Sequence, residues 1–392
     1  MLRTAVLVDA VRTPAGRGKP SGALHGVHPV DLAAGVLTGL LERNGIASAQ
    51  VEDVLLGCVS QVGDQSMNVA RQAVLAAGFD ERVPAATIDR QCGSSQQAVH
   101  FASQGIIAGA YDVVIAGGVE SMSRVPLGSS TAGATPPEGI RRRYPEGLVN
   151  QGVAAELIAA RWGLGRDELD GYAAQSHARA ARAWAAWRFD GEVLPVATDR
   201  GVIDGDETVR PGTTAATLAG LPAAFRTDEM AARFPEIGWH VTAGNSSPLT
   251  DAASAVLLMS EQRALALGLT PRARFHSFAV VGDDPLMMLT GPIPATRRIL
   301  ERSGLTLSDI DVYEVNEAFA SVPLAWQREL DADPARLNPW GGAIALGHAV
   351  GASGTRLLGT MLAHLEATGG RYGLQTMCEG GGLANATIIE RL

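Results

Sequence analysis

Short β-branched runs, several ending in glycine, alternate along this chain with longer stretches of helical periodicity. That alternation points to an α/β architecture built on mostly parallel sheets. Strands are predicted at residues 5–9, 53–57, 85–88, 112–116, 255–259, 273–281, 310–315, 372–377 and 384–390. Helices are predicted at 31–43, with Asp31 as its cap after Pro29, and at 167–188, 293–302, 319–329 and 351–367. Glycine is over-supplied for such a chain: 46 of 392 residues, about 12% against a usual level near 7%. The excess clusters at particular turns and implies close backbone approaches there.

The two ends of the chain echo each other. Near the front, a strand at Val54 leads to a Gly/Ser-rich helix start at Cys92, and a further strand ends in Gly117-Gly118. Near the back, a strand at Val312 leads to a Gly-rich helix start at His348, and a further strand runs to Cys378 before Gly380-Gly-Gly382. The strand-to-helix spacings are 38 and 36 positions. We read a duplicated α/β half, interrupted by an insertion rich in Pro, Gly and charge. The expected division is a first half over 1–122, completed by 234–270, an inserted loop domain over 123–233, and a second half over 271–392.

Charge and cysteine content narrow the function classes. With 41 acidic and 32 basic side chains the net charge is −9, which argues against general nucleic-acid binding, since that depends on Lys and Arg neutralising phosphates. The three cysteines, Cys58, Cys92 and Cys378, are too few and too far apart for a disulfide framework or a zinc knuckle. They fit a reducing compartment, so a cytoplasmic location is expected. The first apolar run ends at Asp9 and reads as a strand and not a signal peptide. No apolar stretch reaches the roughly 18 residues of a membrane span.

Four residues stand in strand-end turns where ligand sites of α/β sheets gather. Cys92, in Gln91-Cys-Gly-Ser-Ser95, lies between a strand and a helix start, where the helix dipole and free N–H groups favour a thiolate nucleophile; the alternative is a buried small hydrophobe. His348 sits among five glycines at the start of a long helix, a setting for a catalytic base as well as for a structural imidazole. Cys378 ends a strand before three glycines, and its alternative is again a buried thiol. Asn316 follows the strand at 310–315 and on its own reads as a helix cap. Cys58 reads as core, and Arg141-Arg-Arg143 as a solvated face.

These blocks together resemble the thiolases, which cleave 3-ketoacyl-CoA or condense two acyl-CoA molecules. The resemblance runs nearly end to end: Asp9-Ala-Val-Arg-Thr-Pro14, the Cys92 block, Gly117-Gly-Val-Glu-Ser-Met-Ser-Arg124, Thr242-Ala-Gly-Asn-Ser-Ser247, Asn316-Glu-Ala-Phe319, Gly347-His348 and Cys378-Glu-Gly380. It implies five α-β-α-β-α layers, with the inserted loop domain covering coenzyme A. By resemblance Cys92 is the acyl-accepting nucleophile, His348 its base and Cys378 the second acid/base. The N–H groups of Cys92 and Gly380 form one oxyanion hole, and Asn316, through a water, with His348 forms another. Ser247, Ala243, Ala318 and Phe319 line the pantetheine tunnel, and Arg210 stands near the nucleotide. Coenzyme A is then a co-substrate, with no tightly bound cofactor and no metal, and the chain is expected as a homodimer or homotetramer.

The chain departs from the family pattern at several places: Asp89 for Asn, Ser95 for Gly, Gln151 for Met, Ala349 for Pro, and Gly220 and Pro222 for basic residues. None removes a catalytic side chain; they bear on acyl specificity and nucleotide affinity. Two other readings stand beside the acyltransferase. One is a condensing enzyme acting on carrier-protein thioesters, which would generally lack the second cysteine. The other is a non-catalytic acyl-CoA or lipid binder on the same scaffold.

Overall fold

A computed structural model describes residues 3–392. Its strands in chain order are β1 (Ala5–Arg12), β2 (Gly16–Arg17), β3 (Asp53–Gly57), β4 (Ala85–Ile88), β5 (Val113–Ser121), β6 (Val196–Thr198), β7 (Gly201–Ile203), β8 (Thr250–Ser260), β9 (Ala273–Gly282), β10 (Val312–Val315), β11 (Tyr372–Glu379) and β12 (Leu383–Arg391). Nine of them follow one another in the order β10-β11-β12-β9-β1-β8-β5-β3-β4, with β2 beside β8. The order divides into two halves of like plan. β3 runs parallel to β4 and β5, and β5 pairs antiparallel with β8. In the second half β10 runs parallel to β11, which pairs antiparallel with β12. The counterpart of β4 is reduced to a single parallel bridge, Tyr313 to Leu337. Between β1 and β9 the pairs Val6↔Arg274 and Leu7↔Ala273 join the halves, and the isolated bridges Ser246↔Phe319 and Leu249↔His348 link them again near the site.

The expectation of mostly parallel sheets is therefore corrected: parallel and antiparallel neighbours are mixed, and antiparallel pairs predominate. The cause is local. Between Glu379 and Leu383 only Gly380, Gly381 and Gly382 intervene, too short for a crossover, so the chain must turn back on itself. Gly381 and Gly382 both have positive φ, 84° and 77°, which side-chain-bearing residues adopt at a cost.

Three apolar cores show the layering. One places the helices Pro29–Asn44 and Val69–Ala76 on the outer face of the first half. Another places Pro292–Ser303 and Ser321–Leu330 on the outer face of the second. The third lies between the halves and joins Ala98, Val99 and Ile106 of the helix Ser94–Ala108 to Leu358, Met361 and Leu362 of the helix Ser353–Thr368. This gives the five α-β-α-β-α layers. β1 and β5 are buried along their whole length, as strands covered on both faces should be, and are apolar except at Asp9, Arg12, Glu120 and Ser121.

Helix ends differ from expectation where tertiary contacts set them. The first helix is capped by His28, whose Nδ1 accepts from the Val30 N–H at 3.2 Å, so Asp31 lies in the first turn and is not the cap. The helix expected from 319 begins at Ser321, and Asn316 is not its cap. Between β5 and β8 the chain forms the helices Gln151–Arg161 and Arg166–Ala185, with shorter ones at Glu138–Arg143, Ala215–Ala219 and Asp228–Arg233. The expected helix at 167–188 corresponds to the second of these. Gln151–Arg161 was not expected; its face is almost wholly buried, so it lacks the apolar/polar alternation that marks a surface helix.

The two central helices meet at their N-termini. A Cβ on Gly354 would lie 2.3 Å from the Gln96 backbone nitrogen, and one on Gly118 would lie 2.0 Å from the Gly351 carbonyl oxygen. Neither position has room for a side chain. Gly354→Ala is expected to push the helices apart and to destabilise the protein by about 1–3 kcal/mol, read as a lowered midpoint in urea denaturation with an unchanged slope.

Candidate active site

The meeting of these helices sets the site. Cys92 precedes the helix Ser94–Ala108 by two residues, after Gln91, whose backbone is held at φ 48°. Positive φ at a residue with a side chain is uncommon, and it is a strain that functional turns often carry. His348 lies at the end of a turn that leads into the helix Ser353–Thr368. Cys378 is on β11 one residue before its end, and Asn316 follows β10. Cys92 packs with Val59, Met122, Val350 and Met377, so the turns of Cys92 and His348 and the end of β11 share one small apolar cluster.

The imidazole is oriented by its neighbours. Ser353 Oγ donates to the Ala349 carbonyl at 2.8 Å and lies 2.6 Å from His348 Nδ1. The serine has one proton, already given to the carbonyl, so Nδ1 carries hydrogen and donates to Ser353 Oγ. Nε2 is left with its lone pair, facing Asn316 Nδ2 at 3.4 Å. The His348 backbone N–H donates to Thr250 Oγ1 at 2.9 Å. Glu120 holds the turn from below, accepting from the N–H groups of Gly351, Val59 and Ser60 and from Gln65 Nε2. Glu317 does the same for the Asn316 loop, accepting from Tyr172, Ser176, Asn338 and the Ile344 N–H.

Burial dominates the protonation states. It pushes the Cys92 thiol up to about 12, with the Glu379 carboxyl adding to the effect, while the N–H groups of Cys92 and Gly380 act in the opposite sense. The helix-terminus argument for a resting thiolate is thereby corrected: loss of water outweighs the local dipole. Cys378 is also raised well above the ordinary thiol value, by burial and then by the nearness of Cys92. His348 is lowered to about 3, by burial and by the charge of Arg356. At neutral pH the site holds two thiols and a neutral imidazole.

These groups lie at and beneath the floor of a cavity of about 760 Å³. His348, Gly380, Ser247, Ala318 and Phe319 line it, as do Gln91, Gln151 and Met288. Cys92, Cys378 and Asn316 are buried and outside its lining, with Cys92 close to Gly380 and Asn316 to His348. Ala243 and Arg210 are exposed and lie outside its lining. Cys58 is wholly buried in the first half's core, and Arg141, Arg142 and Arg143 are exposed. Among the described residues no group of His, Cys, Asp and Glu is arranged to hold a metal ion, and no helix is long and apolar enough to cross a membrane. Ser353, Glu120 and Glu317 were not singled out from sequence, although all three stand inside or just beyond the Gly-rich and Asn316 blocks.

Residues 5–262 match the thiolase N-terminal domain and residues 269–391 the thiolase C-terminal domain. The chain therefore belongs to the thiolase family, a class of acyltransferases. It is 48% identical over 401 residues to a steroid 3-ketoacyl-CoA thiolase of Mycobacterium tuberculosis, covering all of this chain and 95% of that protein. It is 44% identical over 399 residues to a 3-ketoacyl-CoA thiolase of Vibrio cholerae, with both chains covered in full. A crystal structure of the Bacillus anthracis acetyl-CoA acetyltransferase superposes with a TM-score of 0.88 at 38% identity, covering all of this chain and 99% of that one.

Two outcomes follow from the histidine environments. Ser353→Ala removes the acceptor that holds Nδ1–H, and turnover should fall by up to the roughly 100-fold that a positioned base contributes, with the melting temperature little changed. Burial also lowers His100 to about 3, against an ordinary value near 6.5. Between those values the unfolded chain binds the extra proton, so the contribution is complete above pH ~6.5 and is lost as pH falls toward 3. His100→Gln should flatten the acid-side decline in urea stability by about 1.4 kcal/mol per pH unit.

Proposed function

We propose that this enzyme cleaves 3-ketoacyl-CoA with coenzyme A, and runs the reverse Claisen condensation, through an acyl group carried on Cys92. The observation that carries the reading is the convergence of two buried thiols and a neutral imidazole beneath one cavity, with the Gly380 N–H beside the Cys92 sulfur.

In the cleavage direction His348 Nε2 takes the Cys92 proton as the sulfur attacks the keto carbon. The N–H groups of Cys92 and Gly380 stabilise the resulting oxyanion. The bond between the keto carbon and the α-carbon then breaks, and its electron pair leaves as the enolate of acetyl-CoA. Asn316 and protonated His348 face that enolate oxygen, and Cys378 gives the α-carbon its proton. In the second half-reaction Cys378 recovers a proton from the thiol of coenzyme A, whose sulfur attacks the Cys92 thioester; the shortened acyl-CoA is released as the C–S bond to Cys92 breaks and protonated His348 returns its proton to the departing Cys92 sulfur. Because both thiols rest protonated, each must lose its proton as the bond to sulfur or carbon forms.

Coenzyme A is the co-substrate in this scheme, and no tightly bound cofactor is needed for it. Ser247, Ala318 and Phe319 are the candidates for the pantetheine wall. Ala243 and Arg210, being exposed, are candidates for the outer, nucleotide end. We further propose that residues 123–233 form a loop domain over the acyl-CoA, with 1–122 and 234–270 as one half and 271–392 as the other. The contribution of Gly128, Thr131, Gln151, Gly152 and Phe225 to the cavity lining supports it. Assembly as a homodimer or homotetramer is supported by the outer edge of β4, which has no strand beside it. A cytoplasmic location is supported by three free cysteines. The name of the steroid 3-ketoacyl-CoA thiolase relative and the cavity of about 760 Å³ favour ketoacyl chains longer or bulkier than acetoacetyl.

Intact mass measurement after mixing with an acyl-CoA should show one acyl adduct, absent in Cys92→Ser and retained in Cys58→Ser. Cys378→Ala should still acylate while losing thiolysis and α-proton exchange by at least 100-fold. Normal turnover by Cys378→Ala would remove its assigned role.

A further inference from the structure

Glu379 is fully buried, and neither of its carboxyl oxygens has a hydrogen-bond partner. It follows Cys378 directly at the end of β11. Its side chain folds toward the Cys92 turn: a Cβ on Gly93 would lie 1.8 Å from Glu379 Oε1 and 2.6 Å from its carboxyl carbon. The carboxyl thus occupies the notch left by the missing side chain of the residue after the nucleophile. It abuts the reaction centre but does not line the cavity.

A buried carboxyl without partners stays protonated unless something compensates its charge. Burial raises Glu379 well above the ordinary carboxyl value, and Arg90, on the Cys92 turn, opposes that rise from a partly exposed position. From β12 the Asn385 N–H lies near, outside hydrogen-bond geometry. The other titratable groups facing Glu379 are Cys92 and Cys378, and Glu120 acts on Cys92 from the far side. Two thiols and one carboxyl therefore share a small dry volume in which only one negative charge is tolerated readily.

We propose that Glu379 is a positioning residue for Cys92 that acts in two ways: its neutral carboxyl fills the notch at Gly93 and seats the nucleophile turn, and its ionisation suppresses thiolate formation at Cys92 and Cys378. Burial favours the protonated form of Glu379. Once the carboxylate forms, a further negative charge, on sulfur, is opposed at short range. The group thereby sets an upper pH bound on nucleophile reactivity, distinct from the role of His348. This rests on Cys92 being the reactive thiol of the proposed function, but its test does not need turnover.

The test is the pH dependence of Cys92 alkylation by iodoacetamide, followed by intact mass in the Cys58→Ser, Cys378→Ser background. In the parent the rate should rise with pH at less than tenfold per unit over the alkaline range. In Glu379→Gln, which keeps shape and removes the charge, it should rise tenfold per unit and exceed the parent by at least threefold at pH 9.5. At pH 6.5 the two should agree within twofold. Glu379→Asp keeps the charge and should restore the shallow slope.

Equal profiles for parent and Glu379→Gln would overturn the proposal. If Glu379→Gln proves unstable by circular dichroism, the comparison of parent with Glu379→Asp and Glu379→Met decides it in the same way. A failure of the parent to form an acyl adduct from acyl-CoA would instead count against the proposed function and leave these alkylation slopes readable.

Discussion

Everything at the catalytic centre depends on two helix N-termini touching at the backbone. Gly354 against Gln96, and Gly351 against Gly118 and Gly57, leave no space for side chains between the helix starts and the strand ends. That contact brings Cys92 and the turn of His348, through Val350, from opposite halves of the chain onto one small apolar cluster. Without it the two turns would end on separate half-sheets whose strands β1 and β9 share a short register of two pairs. Close approach of this kind is tolerated only by glycine, and it makes the centre rigid because neither helix can slide without a clash.

The dry surroundings produced by that packing decide the chemistry. Neither thiol is ionised at rest and the imidazole is not charged. A stored thiolate–imidazolium pair would need solvation that this volume does not provide. The N–H groups of Cys92 and Gly380 are directed at the Cys92 sulfur, and in the proposed scheme they receive the charge that appears only during reaction. The surrounding carboxylates divide by how they are satisfied. Glu120 and Glu317 accept several hydrogen bonds each and brace the two loops; Glu379 has none and sits against the nucleophile turn.

Much of this was legible before any coordinates. The boundaries of β3 and β4 agree residue for residue with the predicted strands, because short strands flanked by turn residues leave little freedom. The echo between the Cys92 and His348 regions became two halves of one plan. The parallel sheet expectation failed at Gly380–Gly382, where a hairpin could have been inferred from three glycines between two strands. Asn316 looked like a helix cap because Asn commonly is one; its partner, His348, is 32 residues away and invisible to local pattern. The Cys92 thiolate expectation failed for a related reason: a helix N-terminus can be read from sequence, whereas the water excluded around it cannot.

The sequence by itself determined the elements, their duplication, and which chemical groups stand at strand ends, since these follow from local periodicity and turn residues. Only the tertiary structure decided which of those ends meet, which proton His348 carries, and where Ala243, Arg210 and Glu379 lie relative to the cavity. Distances between remote residues and the loss of solvent around them are properties of the packed whole, and no short stretch of chain encodes them alone.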